Sequence, residues 1–226
     1  MSREPINRYL DSAVLKPDLP RRDAEAAIRV GVEYRVRTVC VRPWDIELAA
    51  ALCRDTETEV SCVLAFPHGA TTSAIKALEA RHYIAAGARE LDMVVNFGLI
   101  RSGLWDEVVA DIRGVTDAAH PHGVLVKVIL ETVYLNADQI RRGTQCAIQA
   151  GADFVKTSTG FAPEGDTEAA MRIMLETAAG RIQVKPSGGI RDKAKADRFV
   201  ELGAARLGVN YTSLEAICGS GGSGDV

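Results

Sequence analysis

A single-domain (β/α)8 TIM barrel is the fold that this 226-residue sequence predicts. Three observations carry that expectation. Short β-rich runs alternate strictly with amphipathic helical stretches, eight such runs can be counted, and several helices end on glycine directly before the next run begins. A content of 47% hydrophobic but only 5% aromatic residues adds an aliphatic bias, suited to parallel strands covered on both faces. Eight parallel strands with their helices close into one cylinder at roughly 250 residues, close to the length at hand.

The first run, SAVLK at 12–16, is the weakest and precedes a helix over 21–35. TVCV at 38–41 leads to a helix over 44–55, and VSCVLAF at 60–66 to one over 72–87. ELDMVVN at 90–96 feeds a helix over 104–120, and VLVKVILE at 124–131 one over 136–150. DFVKTST at 153–159, IQVKPS at 182–187 and ARLGVN at 205–210 complete the eight, with helices over 166–179 and 192–202 between them. The phrases AAGARELD, QAGADFVK and ELGAARLG each place glycine where a helix C-cap needs positive φ before a strand. AHPHG at 119–123 reads as a helix-to-strand turn. An open doubly wound sheet is the alternative, but no dinucleotide-type glycine fingerprint follows the first run. The barrel is expected over residues 1–218, with GSGGSGDV at 219–226 as a flexible tail of linker composition.

Charge narrows the function classes. With 27 basic against 30 acidic residues the net charge is −3, no footprint for nucleic acid or an anionic membrane, so a small molecule is the expected partner. The N-terminal MSREPINRYL has no apolar signal-peptide core, and no run approaches the length of a membrane span. Five scattered cysteines without a CxxC, and four histidines without a third ligand at metal spacing, predict a cytoplasmic protein with no metal site.

Strand parity then places the polar groups. Side chains alternate between the helix-facing and interior sides of a barrel strand. If Leu91, Met93 and Val95 face the helices, then Asp92, Val94 and Asn96 face inward. By the same rule Val126, Val128 and Leu130 face out while Lys127, Ile129 and Glu131 face in. Val155 and Thr157 face out with Lys156 and Ser158 inside, and Ile182 and Val184 face out with Lys185 inside. Four consecutive strands thus send Asp, Lys, Lys and Lys into one interior. The bland alternative is an ion-paired core in which Asp92 or Glu131 neutralises the lysines and nothing reacts, although buried pairs of that kind contribute little stability.

The reactive reading is sharper. Neighbouring strands lie about 4.8 Å apart, so Lys156 and Lys185 bring two ammonium groups together, and one should lose its proton readily. A neutral amine attacks carbonyl carbon, which makes Lys156 the candidate Schiff-base nucleophile, Lys185 its pKa-lowering neighbour and Asp92 the proton shuttle, directly or through water. Glycines in STG, SGG and LGVN, at 158–160, 187–189 and 207–210, offer backbone N–H groups to an anion at the strand ends, pointing to a phosphorylated substrate.

At these residues the chain resembles the deoxyribose-phosphate aldolase family. The pieces LDSAVLKPD, TVCVRPW, VLAFPHGATTSAIKALEA, LDMVVNFGLIRSG, VKVILET, GADFVKTSTGFAPEG and VKPSGGIR occur in the family's order from about residue 10 to 210. GADFVKTSTG and KPSGGIR are the specific ones. The resemblance implies a class I aldolase joining acetaldehyde and glyceraldehyde 3-phosphate into 2-deoxyribose 5-phosphate, without metal or organic cofactor. It assigns the same roles to Lys156, Lys185 and Asp92, and places Gly160, Gly188, Gly189 and Gly208 around the phosphate. Asn210, Lys127, Cys40 and Thr159 complete the expected substrate-binding set, and a homo-oligomer, dimer or tetramer, is expected.

Two departures from the family pattern stand out. Asp11-Ser12-Ala13 lacks the hydroxyl of Asp-x-Thr, and Gly208-Val209-Asn210-Tyr211 replaces Gly-x-Ser-Ser. Tyr211 is expected either to narrow the phosphate pocket or to point away from it. The competing functions are a lysine aldolase with a different or unphosphorylated acceptor, and a non-catalytic sugar-phosphate-binding barrel.

Overall fold

The computed structural model describes residues 4–163 and 168–219. The start of the helix expected from residue 166, and all but the first residue of the expected tail at 219–226, lie outside those residues.

Eight strands alternate with helices in the order β1 (Leu10–Val14), α1 (Arg21–Glu33), β2 (Thr38–Val41), α2 (Ile46–Leu52), β3 (Glu59–Leu64), α3 (Ser73–Ala86) and β4 (Glu90–Val94). They continue as α4 (Phe97–Ser102), α5 (Trp105–Ala119), β5 (Leu125–Ile129), α6 (Ala137–Gln149), β6 (Phe154–Lys156) and α7 (Glu168–Ala178). β7 (Gln183–Lys185), α8 (Lys193–Leu202), β8 (Leu207–Asn210) and α9 (Leu214–Cys218) complete the chain. Every strand pair is parallel, and the order runs β7-β6-β5-β4-β3-β2-β1-β8. The circle closes between β7 and β8 through one bridge, Ser187 to Gly208, and two backbone hydrogen bonds, Ala205 to Val184 and Gly208 to Pro186. This is the expected TIM barrel.

Local chemistry sets the element ends. Asn136 and Gln139 form a reciprocal capping box at the start of α6, and Asp192 accepts from the Lys195 N–H at the start of α8. Gly87 and Gly203 cap α3 and α8 with φ of 116° and 111°, the left-handed turn that the glycine-ending phrases predict. The AHPHG turn is a short 3-10 segment, His120–His122, closed by Gly123.

Several boundaries differ from expectation. The first strand begins two residues earlier than 12–16, and the others end where the chain turns into the mouth loops, so β6 and β7 are three residues each. α4 and α9, of six and five residues, are too short to carry a periodic signal and were not expected. The expected helix over 44–55 splits into a 3-10 turn at Pro43–Asp45 and the short α2.

The parity argument is decided by which apolar groups pack with which. Leu91, Met93, Val95, Val126, Val128, Leu130, Val155 and Val184 join the cluster shared with the helices, whereas the buried Val94 and Ile129 lie outside it, on the barrel's inner side. Asp92, Lys127, Lys156 and Lys185 alternate accordingly into the interior. Asn96 does not: the chain has left β4 by then, and its side chain accepts from Gly98 and Leu99 N–H to cap α4.

Candidate active site

The interior charges lie on a few strand positions at fixed heights. Glu90 opens β4 and Asp92 follows two residues on; in register with it stands Lys127 of β5, and Lys156 of β6 is in register with Lys185 of β7. Asp11 of β1 and Arg206, just before β8, complete the set. Asp92 is the hub. Its Oδ1 accepts from Lys127 Nζ at 2.7 Å and Ser61 Oγ at 2.9 Å, and its Oδ2 accepts from Lys156 Nζ and Lys185 Nζ at 2.7 Å each. The proton shuttle expected to work directly or through water therefore touches both lysines directly.

Asp11 was known from the sequence only as part of a family motif, and Glu90 and Arg206 were missed. Asp11 Oδ2 accepts from Lys185, and Lys127 also reaches Glu90 and Asp11. All these groups are buried, so the Coulomb terms act in a low dielectric. Burial alone would push Asp92 and Asp11 up; Lys127, Lys156 and Lys185 around Asp92, and Arg206 with Lys127 and Lys185 around Asp11, hold both below the ordinary aspartate range.

The lysines divide. Burial disfavours the Lys127 ammonium, but Asp11, Asp92 and Glu90 outweigh it and raise its pKa well above the usual value. Burial also works against Lys156, yet Asp92, through its charge and its hydrogen bond, tips it upward. For Lys185 burial prevails over Asp11 and Asp92, with Lys127 and Lys156 adding their repulsion, and its pKa falls. It is thus Lys185, not Lys156 as expected, whose pKa falls. The like-charge pair exists as expected, but Asp92 favours the Lys156 proton more than the neighbouring cations oppose it.

Above this layer a cleft of about 480 Å³ opens at the C-terminal ends of the strands. Lys156, Lys185, Cys40, Thr159, Gly160, Gly188, Gly189, Gly208 and Asn210 all line it, so most of the expected set converges. Lys127 does not line it: fully buried below and held by carboxylates, it is placed to balance charge rather than to touch substrate. Glu131, expected inside, sits in the left-handed conformation at φ 54°, its carboxylate accepting from Thr159 N–H and hydroxyl. That contact orients the loop after Lys156, since the Thr159 hydroxyl in turn accepts from Phe161 N–H.

The departures from the family pattern resolve in the same cleft. Tyr211 points away, packing partly buried against the helix-side core. Asn210 Oδ1 accepts from the Thr212 N–H and hydroxyl, and Thr212 and Ser213 line the cleft. Two hydroxyls are therefore present, displaced along the chain from where the family pattern has them. Lys16 and Arg191 add cationic side chains beside the glycines. The sequence signal for Arg191 was the end of VKPSGGIR, whereas Lys16 follows a strand placed two residues too late to single it out.

A second buried ion pair, missed in the sequence, braces β4 from outside the barrel. Lys76 of α3 lies 2.6 Å from Asp111 of α5 and donates to the Val94 carbonyl, while Asp111 also accepts from Asn96 N–H. Among the described residues no group of His, Cys, Asp and Glu side chains is arranged to hold a metal ion, and no helix is long and apolar enough to cross a membrane.

A model of the DeoC/LacD family aldolases matches residues 22–210, across the barrel and the cleft. The chain belongs to the DeoC/LacD family of aldolases. Its relatives include deoxyribose-phosphate aldolase 1 of Staphylococcus aureus strain Mu50, 41% identical over 91% of this chain and 92% of the relative. Among solved structures, QR15, an aldolase, superposes with a TM-score of 0.88 at 38% identity over 94% of each chain. The tetrameric deoxyribose phosphate aldolase of Aeropyrum pernix superposes with a TM-score of 0.87 at 28% identity, covering 95% of this chain and 90% of that one. As a DeoC/LacD aldolase the chain is a carbon–carbon lyase of the class I, Schiff-base kind.

Proposed function

We propose that the enzyme reversibly cleaves 2-deoxy-D-ribose 5-phosphate to acetaldehyde and D-glyceraldehyde 3-phosphate, with Lys156 as the covalent residue. The carrying observation is that Lys156 and Lys185 both open onto the cleft while sharing one oxygen of Asp92. Of the two amines Lys185 holds its proton less firmly, and because both donate to one Asp92 oxygen a proton passes between them without a large movement.

In the synthetic direction the Lys156 amine adds to the carbonyl carbon of acetaldehyde, giving a carbinolamine that loses water to an iminium. Loss of a methyl proton then yields an enamine. Because Asp92 lies beneath the cleft wall, that proton reaches it through Lys185 or a water molecule. The enamine carbon attacks the second aldehyde, whose oxygen takes up a proton, and hydrolysis of the iminium frees Lys156. Protonated Lys185 favours the developing alkoxide.

The phosphate is assigned to the glycine loops. Gly160, Gly188 and Gly189, with Lys16, Arg191, Thr212 and Ser213 on the same cleft, offer donors and positive charge to a dianion. Those two hydroxyls favour the phosphorylated acceptor over an unphosphorylated one. A cytoplasmic homo-oligomer, dimer or tetramer, is the assembly we propose, the Aeropyrum pernix relative being tetrameric.

Borohydride reduction with acetaldehyde, followed by peptide mass analysis, tests the assignment. The expected adduct is on Lys156. An adduct on Lys185 or Lys127 with Lys156 unmodified, or no adduct at all, overturns it.

A further inference from the structure

Below the cleft the barrel holds a layer of charge that the steps above do not use. Arg206 is only 5% exposed. Its Nη1 lies 2.6 Å from Asp11 Oδ1 and 3.0 Å from Glu90 Oε2, and its Nη2 lies 3.0 Å from Glu90 Oε1. The guanidinium also stands 5.3 Å from the Phe154 ring centroid. Glu90 and Phe154 are the first residues of β4 and β6, so this is the barrel floor. From there ion pairs run without a break from Arg206 through Asp11 to Lys185, then through Asp92 to Lys156.

We propose that Arg206 is a positioning residue for the aldol chemistry: by pairing with Asp11 Oδ1 and both Glu90 oxygens, it weakens the hold of those carboxylates on the lysine protons. The inference rests on the lysine mechanism proposed above. The ion pairs make it concrete. Arg206, Lys127, Lys156 and Lys185 share their ion pairs with Asp11, Glu90 and Asp92, and the buried Glu131, held by Thr159, faces Lys156 from the mouth side.

The groups around Arg206 are Asp11 from β1, Glu90 from β4, Phe154 from β6 and, across the carboxylates, Lys127 from β5 and Lys185 from β7. Thr38 of β2 adds a hydroxyl to Asp11 Oδ1 at 2.8 Å. Without Arg206 the same carboxylates would face one cation fewer, and each lysine would keep its proton to higher pH. Lys185 lies one carboxylate from Arg206 and Lys156 two, and a unit charge roughly 10 Å away shifts such a group by about one pH unit at an effective dielectric constant near 20. Arg206 touches no substrate; it acts through Asp11 and Glu90.

The test is the pH midpoint of acetaldehyde trapping with cyanoborohydride, measured alongside thermal melting. Arg206→Met should raise the midpoint by about one pH unit, and Arg206→Lys should return it towards wild type. Glu90→Gln, which removes a negative charge, should lower it, and the double variant Arg206→Met with Glu90→Gln should restore it. A purely structural role would lower melting temperatures and leave the midpoint fixed, which overturns the proposal, as do single-variant shifts of the same sign. If Arg206→Met does not fold, Glu90→Gln and the double variant carry the test, and a Glu90→Gln midpoint that fails to fall overturns the proposal. A wild type that traps acetaldehyde while the midpoints stay put refutes Arg206 alone; a wild type that traps none refutes the lysine mechanism and this inference together.

Discussion

Lys156 and Lys185 donate to the same oxygen of Asp92, each at 2.7 Å. Two ammonium groups on one carboxylate oxygen compete for a single counter-charge, so what is done to one is felt by the other.

Replacing Lys185 by leucine should therefore raise the Lys156 pKa. Leucine removes the neighbouring cation and leaves Asp92 to Lys156, so the acid limb of the imine-formation profile should move to higher pH, with less activity near neutrality. An unchanged profile would show that the two amines are not coupled.

Asp92→Asn removes the acceptor common to three buried lysines. Breaking buried ion pairs on one side costs about 3–5 kcal/mol, so the variant should melt well below wild type. It should also lose about 10² to 10⁴ in the rate of proton exchange at the acetaldehyde methyl group. Deuterium uptake from heavy water, followed by NMR, measures that step, and wild-type uptake would exclude Asp92 from the relay.

Thr212 and Ser213 are expected to hold phosphate, and Tyr211 is not. Thr212→Val should raise KM for deoxyribose 5-phosphate with kcat nearly unchanged, the pattern of lost uniform binding, at a cost of about 1.5–3 kcal/mol for one charged hydrogen bond. Tyr211→Ser should lower melting temperature through lost packing and leave KM alone. Steady-state kinetics with and without the phosphate on the sugar separate the two effects.

The Lys76–Asp111 pair makes a contrasting prediction. Lys76→Met leaves Asp111 buried beside an apolar group and should cost about 3–5 kcal/mol, whereas Lys76→Met with Asp111→Leu should recover much of it. Chemical denaturation of the single and double variants measures the difference.

Acid stability follows from the same charge layer. Despite their burial, Arg206 with Lys127 and Lys185 holds Asp11 below the ordinary 3.8, and Lys127, Lys156 and Lys185 do the same for Asp92. The stability they contribute is complete above that value and is lost as pH falls through their folded pKa. Melting temperature followed from about pH 5 to about pH 2 should drop below about pH 4, and Asp11→Asn should flatten the drop.

Much of this was legible in the chain. The barrel followed from alternation and from glycines such as Gly87 and Gly203, and Asp92, Lys127, Lys156 and Lys185 followed from parity, because parity depends only on neighbours within one strand. Asn96 escaped because capping α4 took its side chain out of the strand pattern. Glu90 and Arg206 escaped because a charge at the start of a strand or just before it reads as a solvated end, and only closure of the cylinder turns those ends inward. The depressed pKa of Lys185 was out of reach for a related reason: it depends on how many charges surround each amine in three dimensions. Thr212 and Ser213 were hidden by comparison with a pattern that has its hydroxyls at other positions.

The seam between β7 and β8, held by the Ser187–Gly208 bridge and two backbone hydrogen bonds, gives the cylinder a built-in slit. Gly208 keeps it narrow, since a Cβ there would stand 2.8 Å from Ser187 Oγ and 2.9 Å from Ser187 Cβ. The loop that leaves the slit after β7 carries Gly188 and Gly189, the turn after β8 carries Thr212 and Ser213, all on the cleft, and Lys185 ends one of the two edges. An anion clasped by both loops would fasten the two edges from outside. Catalytic readiness and the mechanical integrity of the wall would then rise and fall together.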